Sequence, residues 1–218
     1  MATIVGVSTA SRKKDGAAEL VSALEADLLS GAFRPGEWLK QTDIETNYSA
    51  HRFDVRMALL DLKTRHLIEH VKNRGYRVIN LTDREREDLI ETRTVLEKAA
   101  VQLAAKRRTP QDIAELKAMV AQFDAAIETG DLDVLRGLNG DFHDRFYEAC
   151  NNLTLAQEIK ALRQRGLPGA RGWRSLGAIR RSNDDHAQMI GLLEAGDGEA
   201  LSALIDRHLN RWREGPEG

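Results

Sequence analysis

The sequence predicts a mainly α-helical protein in two parts: three helices with a β-hairpin, followed by an all-helical bundle. Only four of the 218 residues are proline, and the helix-forming residues Ala, Leu, Glu and Arg recur throughout. Apolar residues repeat at helical spacing along most of the chain, whereas short alternating runs typical of strands lie near residues 67–79. With 42% hydrophobic and 30% charged residues, the composition favours a packed core over disorder.

Membrane and secreted proteins do not fit this composition. No apolar run approaches the roughly 18 residues that a bilayer-spanning helix needs. The N-terminus also lacks the basic stretch followed by an apolar core that is typical of a signal peptide. The single cysteine, Cys150, excludes an intramolecular disulfide and suits a reducing compartment. We therefore expect a cytoplasmic protein without a membrane partner.

The first eighty residues are expected to form one domain. Residues 1–15 are small, polar and aperiodic, which predicts a mobile arm, and leucines at helical spacing predict a helix over 17–29. Thr42 or Asp43 can cap a short second helix, and a third amphipathic helix is expected over 52–66.

A basic hairpin follows these helices. Residues 67–71 and 76–79 alternate like strands, and Lys72–Gly75 supply a basic turn that contains glycine. Three helices followed by a hairpin predict a winged helix-turn-helix, in which the second helix of the motif enters the major groove of DNA.

Charge is distributed unevenly along the chain. Residues 1–80 carry 12 Lys and Arg against 10 Asp and Glu, whereas the remainder carries 20 against 24. A basic segment joined to an acidic helical body is typical of a nucleic-acid reader with a separate regulatory part. On charge alone, an ordinary solvated face is the favoured explanation of the pattern.

The second part, residues 81–218, is expected to be an all-helical domain. Thr82 or Asp83 can cap its first helix, Pro110 suits the first position of the second helix, and Gly130 is placed to end it. The predicted helices cover about residues 83–106, 110–129, 131–150, 153–165, 173–195 and 197–212. Such a series predicts a helical bundle.

Three stretches of the first part resemble the GntR family of bacterial transcription regulators. They are GAFRPGEWL at 31–39, RFDVRMAL at 52–59 and NRGYRV at 73–78, in the order and at the spacing of the family signature. His51 replaces the usual Ser, and Asp54 replaces the usual Pro. The resemblance implies binding to a double-stranded DNA operator. Asp54 is expected on the DNA-facing side, where it would repel phosphate or accept a hydrogen bond from cytosine.

The matching positions supply a candidate DNA-contact set. Arg52 and Arg56 lie four residues apart, on one helix face, where arginine can bind guanine O6 and N7 or clamp a phosphate. Gly75 allows the backbone of the hairpin to approach DNA closely, although an ordinary turn glycine is the alternative. The full predicted set is Lys40, Thr42, His51, Arg52, Arg56, Arg74 and Gly75.

The second part resembles the FCD effector domain found in one GntR subfamily. The matching pieces are ETRTVLE at 91–97, NGDFH at 139–143, NN at 151–152, HAQMI at 186–190, LLEAGD at 192–197 and DRHL at 206–209. Six helices resemble the VanR type more than the seven-helix FadR type. The resemblance implies a homodimer that binds a small-molecule effector, commonly a carboxylate.

Three histidines on three predicted helices form a candidate metal site: His143, His186 and His208. Spacing alone favours ordinary surface or core histidines. Metal-binding FCD domains, however, place an Asp or Asn and three histidines at matching positions, which here adds Asn139. Three imidazoles with one oxygen suit a divalent ion such as Zn²⁺ or Ni²⁺. Asn139 is neutral where the family often has Asp, which weakens the expected affinity.

An arginine is expected to bind the effector. Arg93 matches a family arginine that can face the effector cavity and pair with a carboxylate through two hydrogen bonds. The alternative is a salt bridge to Glu97, four residues further along the same helix. Arg163, Arg165 and Arg174 are further candidates.

These features predict a ligand-responsive repressor that binds a palindromic operator as a homodimer. The alternative is a small helical metal-dependent hydrolase that uses the three histidines, although no HExxH-type arrangement supplies its general base. An RNA-binding or architectural protein is disfavoured, because the basic segment shows no series of aromatic residues on which successive bases would stack.

Overall fold

The computed structural model describes residues 9–166 and 176–210, with side chains at all of these positions except 9–15, 176 and 178. Within these ranges the protein is mainly α-helical, as predicted, with short strands only in its first part. The chain forms two compact units, one extending to Asn80 and the other starting at Leu81.

The first unit combines helices with a small antiparallel sheet. Its helices are α1 (Thr9–Ser30), α2 (Gln41–Asn47) and α3 (Arg52–Thr64), and its strands are β1 (Trp38–Leu39), β2 (Ile68–Val71) and β3 (Gly75–Val78). The strand order is β1-β3-β2, so the predicted hairpin of β2 and β3 is present and β1 pairs with its second strand. Strand β1 was not predicted, because two residues carry no readable periodicity.

The arm predicted over residues 1–15 is wrong for residues 9–15, which belong to α1. Residues 1–8 lie outside the described part of the chain. The error arose because residues 9–15 are polar, so that their helical conformation leaves no apolar period to detect.

The core of the first unit explains how α3 is presented. Val55, Leu59 and Leu62 of α3 are fully buried, as their spacing predicted, and they pack against leucines of α1 such as Leu24 and Leu28. Because one face of α3 is committed to this core, the opposite face remains at the surface.

Six helices form the described part of the second unit. They are α4 (Asp83–Arg107), α5 (Pro110–Thr129), α6 (Leu132–Glu148), α7 (Leu153–Gly166), α8 (Leu176–Ala195) and α9 (Gly198–Asn210). Residues 173–175 and 211–212, predicted to be helical, lie outside the described residues. No helix in the described segments is long and apolar enough to span a membrane.

Local signals account for the helix ends of this unit. The Thr82 side chain accepts a hydrogen bond from the Glu85 backbone in a capping box, and Thr109 forms the same arrangement with Asp112. Gly130 ends α5 with a φ of 69°, a left-handed conformation that favours glycine.

The helices of the second unit enclose one main apolar core. Its fully buried members include Leu116, Phe146, Ile159, Leu193 and Ile205. Five titratable residues in the described part of this unit are also buried, namely Glu97, His143, Arg163, Asp185 and His186. Buried charges are costly unless they are paired or bind a ligand, so these residues mark a candidate site.

Candidate nucleic-acid interface and metal centre

The exposed face of α3 carries positive charge. Arg52 and Arg56 are both exposed, and neither has an ion-pair partner among the described residues. Arg65, just after the same helix, is instead paired with Glu25 and Asp61. The charges of Arg52 and Arg56 therefore remain available to an anionic partner.

Three more residues of the predicted DNA-contact set lie exposed at the helix starts. Lys40 and His51 occupy the N-cap positions of α2 and α3, and neither side chain makes a capping hydrogen bond. Thr42 donates a hydrogen bond to the Asp43 carboxylate over 3.2 Å, so its hydroxyl is partly engaged.

Asp54 does not face the exposed side of α3, contrary to the sequence-based expectation. Asp54 is only 9% exposed, and its Oδ2 lies 3.8 Å from the position that a Cβ on Gly16 of α1 would occupy. The reason is helical spacing, because Ala58, four residues later on the same side, is fully buried.

The hairpin tip places a cation beside an aromatic ring. The Arg74 guanidinium lies 4.6 Å from the centroid of the Trp38 ring on β1, within the range of a cation–π interaction. A surface cavity of about 470 Å³ is lined by Trp38, Lys40, Gln41, Arg74 and Tyr76, among others. Trp38 was missed from the sequence, although its position two residues before Lys40 was a usable signal.

Gly75 has a backbone reason to be glycine. Its φ is 100°, a conformation that side chains rarely adopt, and an added Cβ would meet no atom within 4 Å. This observation supports the alternative of a turn glycine.

The three predicted metal-ligating histidines are brought together in the second unit. One ring nitrogen from each of His143 on α6, His186 on α8 and His208 on α9 lies within 4.8 Å of the other two. His186 is fully buried and His143 is 4% exposed. Asn139 is half-buried one helical turn before His143, on the same face of α6, whereas Asp141 is exposed.

The spacing of these nitrogens suits a shared metal ion. The Nε2 atoms of His143 and His186 are 3.3 Å apart. Two imidazole nitrogens, each about 2.1 Å from one ion, are separated by about 3.0 to 3.4 Å in octahedral or tetrahedral geometry. The His143 and His186 pair therefore has the spacing of two ligands of one divalent ion, and a nitrogen of His208 lies within 4.8 Å of both.

Hydrogen bonds orient two of the imidazoles. Asn183 donates from Nδ2 to Asp124 over 2.6 Å, which fixes its amide, so its Oδ1 accepts from His186 Nδ1 over 3.3 Å. His208 Nδ1 lies 2.9 Å from the Asp185 carboxylate and donates to it. Both rings then carry their proton on Nδ1 and present the lone pair of Nε2, as metal-ligating histidines do. Asn183 and Asp185 were not identified from the sequence.

His143 is held neutral. Burial lowers its pKa well below the ordinary histidine value, and the positive charge of Arg163 lowers it further, with smaller contributions from the other two histidines and Arg93. Its Nδ1 is buried and has no hydrogen-bond partner among the described residues. Neutral imidazole is the form that binds a metal.

The arginines near this cluster are already paired. Arg93 donates from Nε to Glu97 over 2.8 Å, which is the salt bridge considered as an alternative, and Glu97 also accepts a hydrogen bond from the Tyr147 hydroxyl. Arg163, 8% exposed, donates to Asp144 over 3.1 Å.

Of the remaining arginine candidates, Arg165 is half-buried, and Arg174 lies outside the described residues. Tyr147 was missed from the sequence, although its position four residues after His143 places both on one helix face.

Comparison with known proteins identifies the family. The model of the bacterial regulatory proteins of the gntR family matches residues 17–78, and the FCD domain model matches residues 88–211. The chain belongs to the GntR family and carries an FCD domain. The two resemblances stated from the sequence are thereby confirmed.

Relatives of this GntR-family chain are transcription regulators. The Nta operon transcriptional regulator of Aminobacter aminovorans is 28% identical over 179 residues, which are 82% of this chain and 84% of that protein. The HTH-type transcriptional regulator McbR of Escherichia coli is 30% identical over 146 residues, 67% of this chain and 66% of that protein. The solved structure of E. coli McbR/YncC has a TM-score of 0.80 at 24% identity, covering 90% of this chain and 94% of that chain, and shows the same fold.

These comparisons establish the general role of the chain. It is a DNA-binding transcription regulator of the GntR family, and the relatives named above are transcription regulators.

Proposed function

We propose that this GntR-family regulator is a cytoplasmic repressor whose affinity for a palindromic operator is changed by a small carboxylate effector bound beside a divalent metal ion. The observation that carries the proposal is the convergence of three imidazoles, from α6, α8 and α9, within the FCD domain. In this proposal, residues 1–80 bind DNA, and residues 81–218 bind the effector and form a homodimer.

The DNA contacts follow from the exposed charges of the first unit. Arg52 and Arg56 bind guanine edges or phosphates in the major groove, since both are exposed and lack a partner among the residues that the structure describes. Lys40, Thr42 and His51 contact phosphates beside them, and the hairpin brings Arg74 and Gly75 to the backbone of the duplex.

The metal is held by His143, His186 and His208, with Asn139 completing the ligand set. Zn²⁺ and Ni²⁺ both suit three imidazoles and one oxygen. When bound, the ion supplies open coordination positions that can accept a carboxylate oxygen. Asn183 and Asp185 hold two of the rings in the metal-binding tautomer, since each accepts a hydrogen bond from an Nδ1–H group.

The arginines add positive charge beside the metal. Arg163 and Arg93 both lower the pKa of His143, so their charges act on the cluster. A carboxylate effector competes with Glu97 for Arg93, or with Asp144 for Arg163. The first exchange breaks an ion pair within α4, and the second breaks the ion pair that links α7 to α6.

The metal is tested by elemental analysis of protein purified without chelator. We expect one divalent ion per chain in the wild type and a large loss in a His186→Ala variant. His70→Ala, which changes an exposed histidine of β2, is the matched control and should retain the metal. Wild type without metal after supplementation, or a His186→Ala variant that retains it fully, would overturn this part of the proposal.

The effector is tested by adding small carboxylates to the metal-loaded protein and measuring thermal stabilisation, then operator binding. A carboxylate that stabilises the protein and changes its operator affinity supports the regulator. The alternative, a metal-dependent hydrolase, requires turnover, so recovery of the effector unchanged counts against it.

A further inference from the structure

Helix α3 exposes a stripe of large apolar side chains, which we call the apolar stripe. Phe53 is 59% exposed, Met57 43% and Leu60 48%. Seven large apolar residues are this exposed within the described residues, and three of them lie on this one helix of 13 residues. A cluster of exposed apolar side chains commonly marks a binding surface.

The apolar stripe runs beside the two arginines without an ion-pair partner. At about 100° per residue, Phe53 and Met57 fall on one side of the exposed face, Arg52 and Arg56 fall on the other, and Leu60 lies between them. Asp54, the acid of this segment, is turned into the core. The exposed face of α3 is therefore half apolar and half cationic.

This combination suits the major groove of DNA. The arginine side matches phosphates and guanine edges, whereas an apolar side chain in the groove finds one strongly apolar group, the 5-methyl group of thymine. A second copy of this chain would instead have to bury both arginines against a face of the same charge, which is unfavourable.

We propose that Phe53 and Met57 of the apolar stripe contact thymine methyl groups and so require thymine at fixed operator positions. The proposal rests on the proposed placement of α3 in the major groove. Both residues lie in the first two turns of the helix, where side chains of a recognition helix reach base edges. Leu60, one turn further along, extends the stripe away from the bases.

The test uses the full-length protein and an operator selected with it from random double-stranded DNA. Each thymine is replaced in turn by uracil, which keeps every hydrogen-bonding group and lacks only the methyl group. We expect wild-type affinity to fall about fourfold for each contacted methyl group, at one or two thymines in each half-site. Replacing the same contacted thymine in both half-sites should lower affinity about fifteenfold.

Variants assign the contacts. Phe53→Ala and Met57→Ala should each weaken binding to the thymine operator and should each lose the preference for thymine over uracil at one position. Arg56→Ala is the control, since it should lower affinity and keep that preference. Because Phe53 and Met57 are exposed, the variants should remain folded, which thermal unfolding checks.

Each alternative has a distinct result. If uracil has no effect at any position, or if the alanine variants keep the thymine preference, the apolar stripe does not read thymine. If Phe53→Ala gives a smaller oligomer than the wild type in light scattering without DNA, the stripe is an interface between copies, and the inference is overturned. If Arg56→Ala leaves affinity unchanged as well, the placement of α3 itself is wrong, and the proposed DNA contacts fail with it.

Discussion

Asp185→Asn should weaken metal binding without removing a metal ligand. Asp185 is 7% exposed, and its carboxylate accepts a hydrogen bond from His208 Nδ1 over 2.9 Å. An amide keeps the size of the carboxylate but removes its negative charge. The imidazole of His208 then becomes a less basic ligand, and its orientation is less firmly held.

The expected magnitude follows from the role of this hydrogen bond. Loss of a partner that orients a metal-ligating histidine commonly costs 10- to 100-fold in metal affinity, or about 1.4 to 2.7 kcal/mol. At a free metal concentration about 100 times the wild-type Kd, bound metal stabilises the folded protein by about 2.7 kcal/mol. A tenfold weaker site at that concentration supplies about 1.4 kcal/mol.

The measurement is a competition titration of metal-stripped protein against a chelator of known affinity, together with thermal unfolding with and without metal. Asp184→Asn is the matched control, because Asp184 is the exposed neighbour on the same helix and the substitution changes net charge equally. If Asp185→Asn binds metal like the wild type, or if Asp184→Asn is weakened as much, then Asp185 does not support a metal-binding His208.

Three further outcomes are expected. Arg56→Ala should weaken operator binding by about 1 to 3 kcal/mol if Arg56 contacts guanine, or reduce the slope of log affinity against log salt concentration by about one if Arg56 binds phosphate. In the same filter-binding assay, Arg65→Ala, which removes an arginine that is already paired, should change either quantity little. Because the folded state holds the pKa of His143 low, the unfolded state binds more protons below about pH 6.5, so the metal-free protein should lose up to about 1.4 kcal/mol per pH unit below that value. A flat denaturant-unfolding profile from pH 7 to pH 5 would contradict this. Light scattering should give about twice the 24.3 kDa chain mass, since paired half-sites require a dimer, and a monomer at micromolar concentration with and without DNA would argue against it.

Helix positions and ends in the second unit were predictable from the sequence. Thr82 and Thr109 cap α4 and α5, and Gly130 ends α5, because capping depends on residues within three or four positions of each other. The inward face of α3 was predictable for the same reason, since apolar spacing within one helix defines its buried side.

Features that depend on contacts distant in sequence were not predictable. Strand β1 exists only because Trp38 and Leu39 pair with β3, and two residues show no period of their own. The spacing to Ala58 already placed Asp54 beside the buried side of α3, but that Asp54 is covered there depended on where α1 packs, because its Oδ2 lies 3.8 Å from the position of a Cβ on Gly16.

The sequence by itself determined which residues could serve as ligands, because residue type and helical spacing are local properties. It placed His143, His186 and His208 on three helices and left Arg93 with two possible partners. Only the packed structure brought the three imidazoles within 4.8 Å of one another and paired Arg93 with Glu97. The reason is physical: hydrogen bonding and periodicity act within a turn or two of helix, whereas convergence of side chains depends on how whole helices pack around a shared core.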